Sequence, residues 1–330
     1  MKKKILIFGA SGDTGKYFVE YLKEQRIEND FEILASGSSD IKQFDSSNIK
    51  YYKIDITQKE EFNILPKDIY AVVDLAGYMP ARMKGYNPYK YVDVNIVGTL
   101  NILEFCRLNK VDRILYAQSF GDIKDHSNNN PLLTVDLPRN FSFTTDHTIY
   151  VMTKNFAVDL IKNYHEMYGI KSFIFRLPTI YLYSSIDHYY VDGEIRKIGY
   201  RILIDKAIAG EDIEVWGDAS RVKDMVYVKD FAQMLYKAIL TERETGYYNV
   251  GTGIGTSLLD QIKGIIEVFS PRDKASKIIM RPDKPNAPQY IMDITPAKEE
   301  LGYEPKYDYK SMLLDFKKCM ENYKKENYGE

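Results

Sequence analysis

Tyr150 and Lys154 are four residues apart, and on a helix that spacing puts both on one face. A free phenol, with a pKa of about 10, is a poor base at neutral pH. A cation within a few ångströms lowers such a value by roughly one to three units. Lys154 is spaced to be that cation. Ser119 adds a hydroxyl that can hydrogen-bond the same substrate oxygen and orient it. The trio describes chemistry at a carbon bearing a hydroxyl, in which a phenolate takes the proton while hydride leaves, or the reverse. With 28 tyrosines in the chain, a Y-x-x-x-K pair is expected by chance, usually on a solvated helix face. The order of the elements before it is what gives this pair meaning.

Those elements begin at the first residues. Lys4-Ile5-Leu6-Ile7-Phe8-Gly9 reads as a short strand, apolar on both faces as in a parallel sheet. The run is too short for the apolar core of a signal peptide and lacks a small-residue cleavage site. Gly9-Ala10-Ser11-Gly12-Asp13-Thr14-Gly15 follows, and then Tyr17, Phe18, Tyr21 and Leu22 recur at helical spacing. Strand, glycine turn and helix stand in the order a dinucleotide site requires. The first glycine allows the turn, the second lets backbone approach a pyrophosphate, and the third lets helix pack on strand. The helix N-terminus then offers N–H groups and a positive dipole end to the phosphates. The spacing is G-x-x-G-x-x-G rather than G-x-G-x-x-G. Asp13 would repel a pyrophosphate, so its side chain is expected to point away from one, though its place in the turn keeps it in the predicted cofactor set with Ser11 and Thr14.

Phe31 to Ser36 reads as the second strand. An acid at its end would hold the adenosine ribose of NAD. The chain instead reads Ala35-Ser36-Gly37-Ser38-Ser39, with Asp40 arriving late. The hydroxyls of Ser36, Ser38 and Ser39 suit a 2′-phosphate, although no Arg stands beside them, so the expected cofactor is NADP or NAD with the preference toward NADP. Val111 to Ser119 reads as a later strand, and ligands of open α/β sheets sit beyond such carboxyl ends. Tyr150 to Tyr164 reads as a helix.

At this point the chain resembles the extended short-chain dehydrogenase/reductase family of nucleotide-sugar epimerases, dehydratases and reductases, over almost its whole length. The glycine loop and Tyr150/Lys154 carry the resemblance first. Asp55-Ile56 is similar to the family's adenine-side contact, and Asp74-Leu75-Ala76-Gly77 to the strand end behind the cofactor. Asn95-Ile96-Val97-Gly98-Thr99-Leu100-Asn101 looks like its N-x-x-G-T-x-N helix. Arg176-Leu177-Pro178-Thr179-Ile180-Tyr181 and Val215 to Asp224 look like its substrate-side segments, as do Tyr248 to Gly251 and Leu301 to Pro305. The resemblance implies cofactor contacts at Asn95 and Pro178 besides those named. It implies a substrate surface of Met79, Arg82, Ser119, Thr179, Arg221, Lys223 and Arg281, the last three clamping a diphosphate.

The departures narrow the reading. The family's 4,6-dehydratases carry an Asp-Glu pair directly after the strand-end hydroxyl, whereas Phe120-Gly121 stand here, so dehydration lacks its acid and base. Lys223 replaces the usual Arg before Asp224, Thr179 stands where some epimerases place Asn, and Tyr181 to Ser184 replaces a Tyr-Gly-Pro turn. The leading expectation is a nucleotide-sugar epimerase working by transient oxidation at C4 through Ser119, Tyr150 and Lys154. The alternative is an NADPH-dependent 4-keto nucleotide-sugar reductase. A hydroxysteroid-type dehydrogenase is disfavoured by the basic substrate-side residues, and a cofactor sensor would not need the trio.

The expected fold is α/β, a doubly wound parallel sheet with a smaller α/β substrate lobe. Residues 1–178 with 225–250 would form the dinucleotide-binding lobe, and 179–224 with 251–330 the substrate lobe. The 45 basic and 47 acidic residues leave a net charge of −2, and no basic stripe marks a nucleic-acid partner. No stretch approaches a transmembrane span, and cytoplasm fits these features. Cys106 and Cys319 lie far apart and the four histidines are scattered, so no metal site is expected. His147, one turn before Tyr150, reads as a capping or surface residue. Surplus apolar residues on the Asn95–Leu108 helix and on the Tyr150 helix predict a homodimer.

Overall fold

The computed structural model describes residues 2–41, 44, 49–80, 83, 85–128, 130–191 and 193–328. A seven-stranded sheet is its centre. The strands are β1 (Lys3–Phe8), β2 (Phe31–Gly37), β3 (Lys50–Lys53), β4 (Ala71–Asp74), β5 (Arg113–Ser119), β6 (Lys171–Leu177) and β7 (Thr245–Asn249). Their spatial order is β7-β6-β5-β4-β1-β2-β3, and every neighbouring pair is parallel. Strand order therefore reverses between β1 and β4, which makes their carboxyl ends the switch point where such sheets bind ligands.

The continuous apolar run of β1 is explained by its two faces. Ile5 and Ile7 enter one core and Leu6 and Phe8 the other, all of them fully buried. The first core is covered by α1 (Asp13–Glu24) through Phe18, Val19 and Leu22, and by the helix Val228–Leu240 through Phe231 and Leu235. The second is covered by α2 (Thr99–Leu108) through Ile102, Leu103 and Cys106, and by α3 (Thr148–Tyr168) through Ala157, Val158 and Ile161. A third core joins the helices Gly199–Ala209, Leu258–Phe269 and Tyr309–Tyr328 through Ile204, Ile265 and Phe316. Tyr290, Met292 and Tyr303, although late in the chain, pack into the first core.

Two elements differ from their sequence-based bounds. The Tyr150 helix starts at Thr148 and runs to Tyr168, where Gly169 at φ +70° ends it in the left-handed region. The Asn95 helix is not uniform: Asp93–Gly98 winds as a π-turn before α2 begins. Such turns mark places where a side chain has been re-aimed, and Asn95 is the one re-aimed here, as the site shows.

Candidate functional site

The glycine turn is built as a dinucleotide site needs. Gly9 sits at φ +76°, and a β-carbon there would stand 2.7 Å from the Ala76 amide nitrogen. A β-carbon on Gly15 would lie 2.3 Å from the Gly9 carbonyl oxygen, so the third glycine is where α1 closes on the turn. Gly12 is the N-cap of α1 and has no side chain to cap the helix, which suits its N-terminus to an anion. Ser11 is seated against Gly37, and Thr14 is half-buried in the first turn. Asp13 is turned to the opposite side, where the Ser184 hydroxyl donates to its carboxylate at 2.9 Å.

Beside the end of β2 lies a cleft of about 400 Å³ lined by Ser38, Lys53, Asp55, Glu61 and Ile64. Ser36 is fully buried and its hydroxyl is directed to the Ile7 carbonyl, so Ser36 stiffens the sheet and leaves Ser38 and Ser39 as the exposed hydroxyls. Lys53, the one cation among the described residues lining the cleft, is paired with Asp40 at 2.6 Å. Asp55 accepts from the Thr57 amide and hydroxyl, and its own amide donates to Glu61. Ile56 packs under Gly98, where a β-carbon would meet its side chain at 2.6 Å.

The N-x-x-G-T-x-N segment proves to be a clamp. The Asn95 side chain accepts from the Tyr78 amide at 2.8 Å and donates to the Tyr78 carbonyl and to Thr153 on α3. Asn101 donates to the Ile56 carbonyl at 2.8 Å. Asn95 is buried and fully committed, so it fixes the Leu75-Ala76-Gly77 turn and its continuation to Met79 relative to α3. Met79 is exposed, and Arg82 lies outside the described residues.

Ser119 ends β5 and Tyr150 stands in the first turn of α3. Burial pushes the Tyr150 phenol up to about 12, and a hydrogen bond from Ser119 acts against that rise. The two hydroxyls therefore face each other. Lys154, one turn on, does not contribute to the Tyr150 value. Its ammonium lies 4.1 Å from the centre of the Tyr116 ring, and burial together with Asp74 sets its titration. Lowering of the phenol by Lys154, expected from the spacing alone, is thus not seen in this structure. Behind the phenol stands an aromatic wall that the sequence did not announce: the Tyr91 ring is 6.0 Å from that of Tyr150 and 5.2 Å from that of Tyr78.

A buried polar network also escaped sequence reading. Arg176 pairs with Asp122 at 3.0 Å and accepts no substrate role, because it also donates to Tyr247, Asn249 and the Val135 carbonyl. Gln118 donates to Asp122 and to Asn155 and accepts from Tyr247. Ser119 and Lys154 are thereby flanked by residues, Gln118 and Asn155, that bond to each other at 2.9 Å. No regular spacing joins these residues, so only the fold reveals them.

On the substrate side, Tyr290 is the organiser. Its ring lies 4.9 Å from that of Phe120, it is buried beside Thr179, and its backbone bridges Lys223. Pro178 is buried and Thr179 exposed. Asp224 accepts from the Thr252 amide and hydroxyl and from the amides of Gly253 and Met292, pinning the strand that carries Lys223. Burial lowers the Lys223 amine below its usual range, and no carboxylate contributes to its titration. Arg221 donates to the Ala287 carbonyl at 2.6 Å. Arg281 is already spent on Glu214 at 2.7 Å and Asp283 at 3.0 Å, so it is an ion-paired strand residue. His147 meets the carbonyl of Tyr190 at 2.7 Å and caps nothing with its side chain. Among the described residues no group of three or more His, Cys, Asp or Glu could hold a metal ion, and no helix is long and apolar enough to cross a membrane.

The chain is similar to known proteins. The chain is 28% identical over 326 residues to a putative UDP-glucose 4-epimerase of Methanocaldococcus jannaschii, covering 96% of this chain and 98% of that one. Its fold matches the crystal structure of UDP-glucose 4-epimerase with UDP-glucose from Thermotoga maritima, with a TM-score of 0.75, 24% identity and coverage of 97% and 99%. It also matches UDP-glucuronic acid 4-epimerase from Bacillus cereus in complex with NAD, with a TM-score of 0.75, 21% identity and coverage of 99% and 98%. Residues 5–251 match the model of the NAD dependent epimerase/dehydratase family. With the glycine turn, the switch point and the Ser119/Tyr150/Lys154 geometry in place, the chain belongs to the NAD dependent epimerase/dehydratase family.

Proposed function

We propose that the protein is an NAD-dependent nucleotide-sugar 4-epimerase whose substrate is a UDP-sugar. The observation that carries the reading is at the end of β5. Ser119 and Tyr150 face one another there, while the next two positions have no room for an acid–base pair. Phe120 is packed at a tilt against Tyr290, and a β-carbon on Gly121 would lie 2.8 Å from a Val151 methyl. Oxidation and reduction of a carbinol are supported by these residues and elimination is not. The relatives named for UDP-glucose and UDP-glucuronate supply the nucleotide.

Gly9, Gly12 and Gly15 with the first amides of α1 would hold the pyrophosphate, and the cleft beside Ser38 and Asp55 the adenosine. NAD, when bound, supplies a two-electron acceptor at C4 that hands the electrons back within one turnover. Ser119 holds the C4 oxygen. Tyr150 takes the proton of that hydroxyl on the way to the 4-keto sugar and returns one when the opposite epimer forms. Lys154 places a positive charge one turn from the phenol, at the ends of β4 and β5. Arg221 and Lys223 hold the diphosphate, with Lys223 the unopposed cation. We assign these residues to a cleft between the lobe of 1–178 with 225–250 and that of 179–224 with 251–330, and we read the active form as a homodimer.

The preference for NADP drawn from Ala35–Ser39 is not supported, the family being NAD dependent. The structure supplies a reason for NAD. Asp55 and Glu61 line the adenosine cleft and its lysine is already neutralised by Asp40, so a 2′-phosphate would meet net negative charge. No specific observation favours the 4-keto reductase alternative. The deciding experiment incubates purified protein with UDP-glucose, UDP-N-acetylglucosamine and UDP-glucuronate and follows the sugars by proton NMR. Epimer formed with no net change in cofactor absorbance supports the reading. Stoichiometric NADPH oxidation, or no conversion of any of the three, overturns it.

A further inference from the structure

Asp74 ends β4 and is 1% exposed. One carboxylate oxygen accepts from the Ala76 amide at 3.0 Å, and the other is buried with no hydrogen-bond partner. An unmet charged oxygen in the interior is expensive. Nothing in the packing of β4 requires it, since its other residues, Ala71, Val72 and Val73, are apolar.

The geometry shows what it faces. In the parallel register Asp74 is paired with Tyr116 of β5, so the two side chains leave the sheet on one side. The Lys154 ammonium lies 4.1 Å from the centre of that Tyr116 ring. The same ammonium comes within 3.8 Å of where a β-carbon on Gly77 would stand. Lys154, itself only 6% exposed, thus reaches from α3 into the ends of β4 and β5, toward the turn that follows Asp74. No direct salt bridge joins the two, so the attraction acts through the interior in which both are buried, where charges are weakly screened. Around Asp74 the other titratable groups are Tyr116 from β5 and Cys106 from α2, both neutral at physiological pH because burial and the Asp74 charge raise them. Lys154 is the one cation that acts on it.

We propose that Asp74 is a positioning residue for the reaction: its buried carboxylate is the counter-charge that draws Lys154 to the end of the sheet and keeps it an ammonium one turn from Tyr150. The proposal rests on the reading of Tyr150 and Lys154 as the reacting pair. The electrostatics agree in sign on both partners. Burial pushes the Lys154 amine down and Asp74 pulls it back up, while burial pushes the Asp74 carboxyl up and Lys154 pulls it back down.

The test needs neither substrate nor cofactor. Protein labelled with carbon-13 at lysine Cε is titrated by NMR, with Lys154 assigned by the signal lost in Lys154→Met. In Asp74→Asn, which keeps the side-chain shape and the acceptor for Ala76, the Lys154 midpoint is expected to fall by roughly one unit or more. A midpoint unchanged or raised overturns the proposal. Should Asp74→Asn not fold, wild-type protein labelled at aspartate Cγ decides. An Asp74 midpoint above the usual carboxylate range, echoed as a second inflection in the Lys154 signal, supports the coupling, and an Asp74 step near pH 4 without that echo refutes it. If the protein then proves to convert a nucleotide sugar, the alkaline limb of its pH–rate profile moves down in Asp74→Asn. Absence of all turnover with an intact NMR coupling would count against the epimerase reading and not against the pair.

Discussion

Gly121 and Val151 are in such close approach that a β-carbon on the glycine would lie 2.8 Å from a Val151 methyl and 3.2 Å from the Ser119 hydroxyl oxygen. The end of β5 and the first turn of α3 are thus locked together at the point where Ser119 must meet Tyr150. The Ser119 hydroxyl also accepts from the Gly121 amide at 3.1 Å, which fixes its rotamer. Gly121→Ala is expected to destabilise the fold by about 1–3 kcal/mol, the usual range for overpacking. It should lower turnover more than cofactor affinity, because the overlap displaces the reacting hydroxyls and leaves the glycine turn alone. Thermal melting and NAD titration beside the rate assay check this. A variant with wild-type turnover would show that the contact has no bearing on the chemistry.

Tyr150→Phe should reduce turnover by about 10²–10⁴, the range for a lost general acid–base group. The ring still fits against Tyr91, so the melting temperature should stay close to wild type. NAD affinity is expected to change little. Activity within a factor of two of wild type would remove Tyr150 from the proton path.

Much of this site was legible in the residues, and the boundary of legibility is physical. The glycine turn could be read because backbone geometry permits few substitutes: Gly9 at φ +76° and Gly15 against the Gly9 carbonyl leave no room for a side chain. The continuous apolar run of β1 and the four-residue spacing of Tyr150 and Lys154 could be read because a doubly covered strand and a helix face have fixed signatures. Long-range pairings could not. Gln118, Asp122, Asn155, Arg176 and Tyr247 form one buried network from four separate stretches of chain, which no local sequence pattern links. Asn95 and Arg281 show the opposite error. Their types and positions suited ligand contacts, but Asn95 holds the Tyr78 backbone and Arg281 is consumed by Glu214 and Asp283. The direction of the Lys154 ammonium, toward Tyr116 and Asp74, depends on the register of β4 and β5, which no single segment encodes.

Apo protein should bind NAD more tightly than NADP. Among the described residues lining the cleft beside Ser38, Lys53 is the one cation, and it is tied to Asp40 while Asp55 and Glu61 supply negative charge. Asp40→Asn frees Lys53 and should narrow the preference. Fluorescence titration with both cofactors provides the measurement, and tighter binding of NADP by the wild type would contradict the argument.

The Asp74/Lys154 pair should cost stability. An acid whose folded pKa is raised makes the folded state bind more protons than the unfolded chain above pH 4 or so, and stability falls as pH rises through that window. Burial raises Asp74 in this way. The lysine has the opposite sign: with its folded pKa lowered, stability is regained only as pH rises toward its unfolded value near 10.4. Near pH 7.5 both penalties apply. Asp74→Asn combined with Lys154→Met should therefore melt higher than wild type at pH 7.5, as is often found when buried ion pairs are replaced. The margin should shrink at pH 4.5, where Asp74 is protonated in the wild type. A double variant that melts lower than wild type at pH 7.5 would show that the pair stabilises the fold.

The apolar surface left on α2 and α3 predicts a two-fold dimer. Val97 and Leu100, on the π-turn and α2, are 39% and 36% exposed, and Met152 and Phe156 on α3 are 45% and 48% exposed. The two helices pack side by side, and each leaves two of these apolar side chains exposed. Met152 and Phe156 are four apart and alternate with Lys154, which points inward from the same helix. Apolar exposure of this kind is uncommon on a monomer surface, and a self-complementary patch on two antiparallel copies of the helix pair closes with two-fold symmetry. Burying it would also stiffen the turn of α3 that carries Tyr150. Light scattering at micromolar concentration should give about twice the 38.3 kDa chain mass. Phe156→Glu should bring the mass to that of one chain and lower turnover, with NAD still bound, because the site itself is untouched. Wild-type protein that scatters as a single chain would mean that these side chains serve some other contact.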